Sequence, residues 1–163
     1  MDHVTRILDQ WHRERPDLDV APMGLLGRLG RLHAHLSREI EAELAAHGLN
    51  RASFDVLATL RRAGHPHRLS PGDLLAATMV TSGTMTNRID QLEKQGLVER
   101  IAHPEDRRSV LIGLTDKGFA TIDRAVTAHV ANQHRLTAAL TAAEFEALDA
   151  LLSRYLSAFE EKG

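Results

Sequence analysis
Apolar side chains recur at helical spacing through most of the chain. Val4, Ile7, Leu8 and Trp11 follow an i, i+3, i+4, i+7 pattern, which predicts a short leading helix ended by the charged RERPDLD stretch and its Pro16. Leu25, Leu29, Leu32, Leu36, Ile40 and Leu44 form one long stripe that stops at Gly48. Asn50 is placed to cap a following helix that turns Phe54, Leu57 and Ala58 inward. The pattern changes between Leu69 and Thr115. Ser70 as N-cap, Pro71 at the first helical position and Asp73 near the positive helix end open a short helix. After a break around Met79 to Thr81, Met85, Ile89 and Leu92 mark a second helix, which Gly96 terminates. Leu97 to Ile101 and Val110 to Leu114 are rich in β-branched and aliphatic residues and flank the polar tip AHPEDRRS, so they read as a hairpin. Beyond Thr115, Ile122, Val126 and Val130 predict another helix. Thr141 and Glu144 form a capping box for the last one, which carries Phe145, Leu148, Leu152, Tyr155 and Phe159.

Two capped helices followed by a charged hairpin are the order of a winged helix-turn-helix, a module that reads DNA. The fold class expected is mainly α with a small β-hairpin wing. One domain is expected over residues 1–163, with a winged lobe at 50–115 and dimerisation helices at 1–49 and 116–163. The flanking stripes offer more apolar surface than one small lobe can cover. A two-fold homodimer would use that surface and present two recognition helices to successive major grooves, which implies a pseudo-palindromic double-stranded DNA operator.

Composition narrows the classes. With 163 residues and 43% hydrophobic content, the chain suits one domain with a substantial core. No apolar run is long enough for a bilayer and the first residues lack a signal peptide's apolar core, so a cytoplasmic protein without membrane attachment is expected. The absence of cysteine excludes disulfides, thiolate metal sites and thiol redox sensing. No nucleophile and base stand in a recognisable motif and no glycine-rich phosphate loop is present, so no enzyme and no cofactor are expected. A net charge of −2 argues against a nonspecific nucleic-acid coat. DNA contact must rest on a local patch of Arg88, Lys94, Arg100, Arg107 and Arg108, partly offset by Glu93, Glu99, Glu105 and Asp106. Ten histidines, among them the pairs His33 with His35 and His65 with His67, leave a histidine-based metal sensor as an alternative, although i, i+2 spacing suits a strand or loop better than one helix face.

On the second helix, Thr84, Asn87 and Gln91 project opposite the apolar stripe. Asn and Gln can bond adenine in bidentate fashion, and Ser82, Thr84 and Thr86 near the helix start suit phosphate or thymine-methyl contacts. At the hairpin tip, Arg108 is the candidate for the electronegative minor groove, with Asp106 orienting its guanidinium and Arg107 beside it. Arg88 lies on the shoulder of the apolar stripe, where a cation needs a partner to offset desolvation. An anionic ligand, a structural salt bridge and a DNA phosphate each meet that need.

The string GLVERIAHPEDRRSVLIGLT, with Asp106, Arg107, Arg108, Leu114 and Thr115, resembles the wing of the MarR family of transcriptional regulators. That resemblance covers nearly the whole chain. It implies a triangular homodimer with interlocked terminal helices and a ligand pocket between the dimerisation and DNA-binding regions. WHRERPDLDVAPMGLLGRLGRL, FDVLATLRRAG and TSGTMTNRIDQLE further resemble the urate-responsive branch of the family, which has an extra N-terminal helix bearing a tryptophan. This implies a ligand quartet of Trp11, Asp55, Arg88 and Arg100. Trp11 and Arg88 would contact the purine, Asp55 would be repelled or displaced by the anion, and Arg100 would pass the change to the DNA-binding lobe. The function implied is a repressor released by urate or a similar small anion, through a network in which Asp55 is joined with Arg88 or Arg100. A different phenolic or carboxylate effector is the alternative within the family.

Overall fold
A computed structural model describes residues 1–78, 82–103 and 109–160, the side chains of residues 82–84 excepted. Seven helices and three strands follow one another among them: α1 (His3–Glu14), α2 (Ala21–Ala46), α3 (Arg51–Arg62), β1 (Arg68–Leu69), α4 (Pro71–Ala77), α5 (Ser82–Lys94), β2 (Val98–Ala102), β3 (Val110–Leu114), α6 (Asp116–Thr137) and α7 (Ala142–Glu160). The chain forms two compact units, Met1–Ala42 and Glu43–Gly163. No helix among the described residues is long and apolar enough to cross a membrane.

In the first unit, the Asp2 side chain caps α1 by accepting from the Thr5 backbone N–H at 2.8 Å. Arg28 of α2 reaches the same carboxylate with Nε at 2.8 Å and the Thr5 hydroxyl at 2.9 Å, so one guanidinium ties the start of α1 to α2. The Arg28 hydrogen bond, followed by the Thr5 amide, holds the Asp2 carboxyl well below the usual carboxylate range. Val4 is the one residue of the predicted α1 stripe that is buried, and its methyls face Gly27. Ile7 and Trp11 are 37% and 39% exposed, contrary to an inward-facing stripe. Periodicity defines an apolar face without supplying its cover.

The second unit is built around local signals that the sequence carries openly. Asn50 accepts from the Ser53 N–H at 2.9 Å, Ser70 from Asp73 at 3.1 Å and Thr115 from Gly118 at 3.0 Å, each capping a helix start. Thr141 and Glu144 exchange bonds as a capping box, and the two bonds from Thr141 hold the Glu144 carboxyl below its ordinary value. At the end of α5, Gly96 takes φ 70° and the Leu97 N–H bonds the Leu92 carbonyl at 2.9 Å, the Schellman arrangement that favours glycine.

The three strands form an antiparallel sheet in the order β1-β3-β2, with Val98 opposite Leu114 and Ala102 opposite Val110. The predicted hairpin is present, one residue later on its first strand. The added strand β1 pairs Arg68 with Gly113 and Leu69 with Ile112. Its two residues are too few to leave a periodic signal.

The core of this unit joins Leu44, Leu49, Val56, Leu57, Leu60, Leu74, Met85, Ile89, Leu92, Leu97, Val98, Ile112 and Ile122, all buried. Of the inward set predicted on α3, Leu57 is fully buried, whereas Phe54 and Ala58 are half-buried and Val56 and Leu60 take the deepest places. α3 packs on α6, where Arg61 lies 4.6 Å over the Phe119 ring and pairs with Asp123 at 3.0 Å. α7 has no buried residue: Phe145, Leu148, Leu152, Tyr155 and Phe159 are all between 37% and 65% exposed.

Candidate DNA interface and effector site
α4 and α5 are joined across residues 79–81, which lie outside the described residues. α5 turns Met85, Ile89 and Leu92 into the core, and Thr86, Asn87 and Gln91 are exposed, as the helical projection requires. Ser82 and Thr84 belong to the first turn of α5, but their side chains are outside the described set. Asp106, Arg107 and Arg108 also fall outside the described residues.

The end of α5 is fixed by three groups that converge on its last turn. The Thr115 hydroxyl donates to the Gly96 carbonyl at 2.7 Å, the Lys117 ammonium to the Gln95 carbonyl at 2.7 Å, and the Thr115 N–H to the Leu97 carbonyl at 3.2 Å. Lys117 thereby places a cation at the negative end of the helix. Gly118 sits so close to this turn that a Cβ on it would collide with the Leu97 carbonyl.

Arg100 projects from β2 onto α5. Its guanidinium donates to the carboxylates of Asp90 and Glu93, bracing the predicted recognition helix against the wing strand. The hydrogen bond to Asp90, first among the causes, holds this guanidinium above its ordinary value. Glu93, read from sequence as an offset to the positive patch, pairs with Arg100, one of that patch's own cations, and the pair is partly exposed.

Arg88 is half-buried on α5, and its Nη1 donates to the Asn50 side-chain oxygen at 2.8 Å. That oxygen is the same one that caps α3. The Nε of Arg88 is buried and has no hydrogen-bond partner among the described residues. Of the three readings open from the sequence, a complete structural salt bridge is therefore the one this geometry does not provide. Asp55 stands half-buried on α3, five residues after Asn50, while Trp11 belongs to the first unit.

Sequence reasoning passed over a further polar cluster in the second unit. Both carboxylate oxygens of Glu43 are buried, with His47 Nε2 at 3.2 Å and His129 Nδ1 at 3.7 Å. The His129 ring stacks on Phe54 at 4.7 Å between centroids, and its Nε2 lies 2.9 Å from the Gln133 amide nitrogen. The i, i+4 spacing of Glu43 and His47 is legible in the chain, but His129 is not placed beside them by any local pattern. His33 with His35 and His65 with His67, the pairs that suggested a metal sensor, are not part of any metal-holding group of three or more His, Asp or Glu among the described residues.

The winged lobe that carries these residues has known counterparts. The sequence profile of the MarR family matches residues 47–109. PecS, an HTH-type transcriptional regulator from Dickeya dadantii, is 42% identical over 151 residues, which cover 93% of this chain and 91% of the relative. The chain belongs to the MarR family. It is therefore a DNA-binding transcriptional regulator, and its relatives are regulators rather than enzymes. Among solved structures, a mutant MarR from E. coli complexed with operator DNA superposes with a TM-score of 0.70 at 29% identity, covering 90% of this chain and 97% of that one. BpsR from Bordetella bronchiseptica, whose DNA binding is regulated by 6-hydroxynicotinic acid, gives 0.69 at 27% identity over 79% of this chain and 90% of that one.

Proposed function
We propose that this MarR-family regulator is a homodimeric repressor, released from a pseudo-palindromic operator when a small planar anion, urate foremost, is taken up by Arg88. The observation that carries the reading is the state of Arg88: a half-buried guanidinium on the predicted recognition helix, bound through Nη1 to a neutral amide, with its Nε buried and unpartnered. A cation desolvated to that degree and held by a neutral group gains most from an anion. The resemblance to the urate-responsive branch adds Asp55 and Arg100, of the same unit as Arg88, to the effector set. BpsR, whose DNA binding is regulated by 6-hydroxynicotinic acid, supports a small aromatic acid as the class of effector.

DNA reading falls to Thr86, Asn87 and Gln91, with Ser82 and Thr84 at the helix start and Asp106, Arg107 and Arg108 in the wing. Residues 50–115 would form this lobe within one regulatory chain, and residues 1–49 and 116–163 would supply the dimer contacts. The exposed apolar face of α7 supports that assignment.

Arg88 and the base-facing residues share α5, so an anion that repositions Arg88 acts directly on the element that meets DNA. A coupling of about 1 to 3 kcal/mol suffices to shift the population away from the operator-competent arrangement. Arg100, bridging β2 and α5, would carry that shift to the wing.

The test is operator binding by fluorescence anisotropy, on DNA from the region upstream of the chain's own gene, at fixed salt and with and without urate. Urate is expected to dissociate the wild-type complex, whereas Arg88→Ala is expected to keep operator affinity within about threefold and lose the urate response, a coupling of the size given above. An unchanged urate response in Arg88→Ala rejects the effector assignment.

A further inference from the structure
We infer that Asn50 is the positioning residue of the effector site, holding Arg88 so that one edge of its guanidinium, the edge formed by Nε and Nη2, is kept for the anion. The inference rests on the effector reading above and adds to it the residue that prepares the site and the ligand geometry that fits.

A guanidinium offers two forks to an oxyanion: the end, formed by Nη1 and Nη2, and the side, formed by Nε and Nη2. Asn50 takes one N–H of Nη1 at 2.8 Å, so an anion on the end-on fork would share that nitrogen with the amide. The side-on fork retains its Nε, buried and without a partner among the described residues. The occupant of that edge is thus an anion with two adjacent acceptor atoms in one plane, such as a carboxylate or the O–C–N edge of a deprotonated purine.

Asn50 is suited to this task because it is neutral and already anchored. Its side-chain oxygen accepts from the Ser53 N–H at 2.9 Å, which fixes the amide at the start of α3, and its backbone carbonyl accepts from the Phe54 N–H at 2.8 Å. An aspartate in its place would keep both hydrogen bonds but neutralise Arg88 and repel the anion. The amide orients the cation and leaves its charge to the ligand.

Three variants separate the roles, with urate and benzoate as probes in calorimetric titration of the full chain. Asn50→Ser keeps a good helix cap but is too short to reach Arg88. It is expected to retain its melting temperature and operator affinity while binding urate about tenfold more weakly, the equivalent of one lost hydrogen bond. Asn50→Asp keeps cap and contact, and is expected to lose affinity by more than Asn50→Ser. Arg88→Ala is expected to abolish binding of both probes.

The Arg88 Nε–H resonance, observed by 15N NMR, gives a readout that a helix-capping role would not move. In the wild type it should be sharp without ligand and shift on adding urate, and in Asn50→Ser it should broaden in the free protein. Wild-type affinity in Asn50→Ser and Asn50→Asp, with binding lost in Arg88→Ala, overturns the positioning role and leaves the effector site standing. Wild-type affinity in Arg88→Ala overturns the effector reading itself. If neither probe binds the wild type, the effector reading falls and the positioning role falls with it.

Discussion

Single residues carry constraints that their local pattern does not announce. Gly118 follows the cap of α6 and looks like an unfavourable choice for the first turn of a helix. The Leu97 carbonyl, pressed against its Cα, supplies the reason. Gly118→Ala should lower stability by about 3 kcal/mol through forced separation of α6 from the end of α5, and thermal unfolding checks it: an unchanged melting temperature would show that the two backbones part freely. Arg88 is the converse case. Its awkward position on an apolar shoulder was legible in sequence, whereas its partner was not, because Asn50 lies 38 positions earlier and reads locally as a helix cap and nothing more.

At the level of elements, capping chemistry was the most legible part of the chain. Asn50, Ser70, Thr115 and the Thr141 with Glu144 pair start their helices through hydrogen bonds spanning three residues, so the information lies within one turn. The strands of the hairpin were found for the same reason, and β1 was missed because its pairing with β3 joins residues more than forty positions apart. The join between α5 and β2 depends on Arg100 and its two carboxylates, Asp90 and Glu93. Arg100→Gln is expected to reduce operator affinity about fivefold at low salt, in keeping with a partly exposed ion pair worth near 1 kcal/mol, and the deficit should shrink as salt is raised. Anisotropy titrations across a salt series measure this. A deficit that does not change with salt would mean that Arg100 acts through packing.

For the molecule as a whole, the outstanding feature is apolar surface that the chain leaves uncovered. Leu148, Leu152, Tyr155 and Phe159 recur along α7 at helical spacing, all of them exposed, and a face of that kind fits the homodimer of the proposed repressor. Leu152→Glu is expected to yield a folded monomer in sedimentation experiments and to weaken operator binding about 100-fold or more, because two half-sites can then no longer be engaged together. A dimer that survives this charge would place the interface elsewhere. Such a result would leave the DNA-reading lobe untouched.

From the sequence come the order of the helices and the hairpin, the caps at Asn50, Ser70 and Thr141 with Glu144, the apolar side of α5 and the family to which the chain belongs, since each depends on spacings within a helical turn or on a contiguous motif. The tertiary structure alone decided which apolar stripes are covered, where the arginines find their partners and why Gly118 must lack a side chain. Burial, ion pairing and close backbone approach are set by residues distant in the chain, and no local period encodes what will stand opposite.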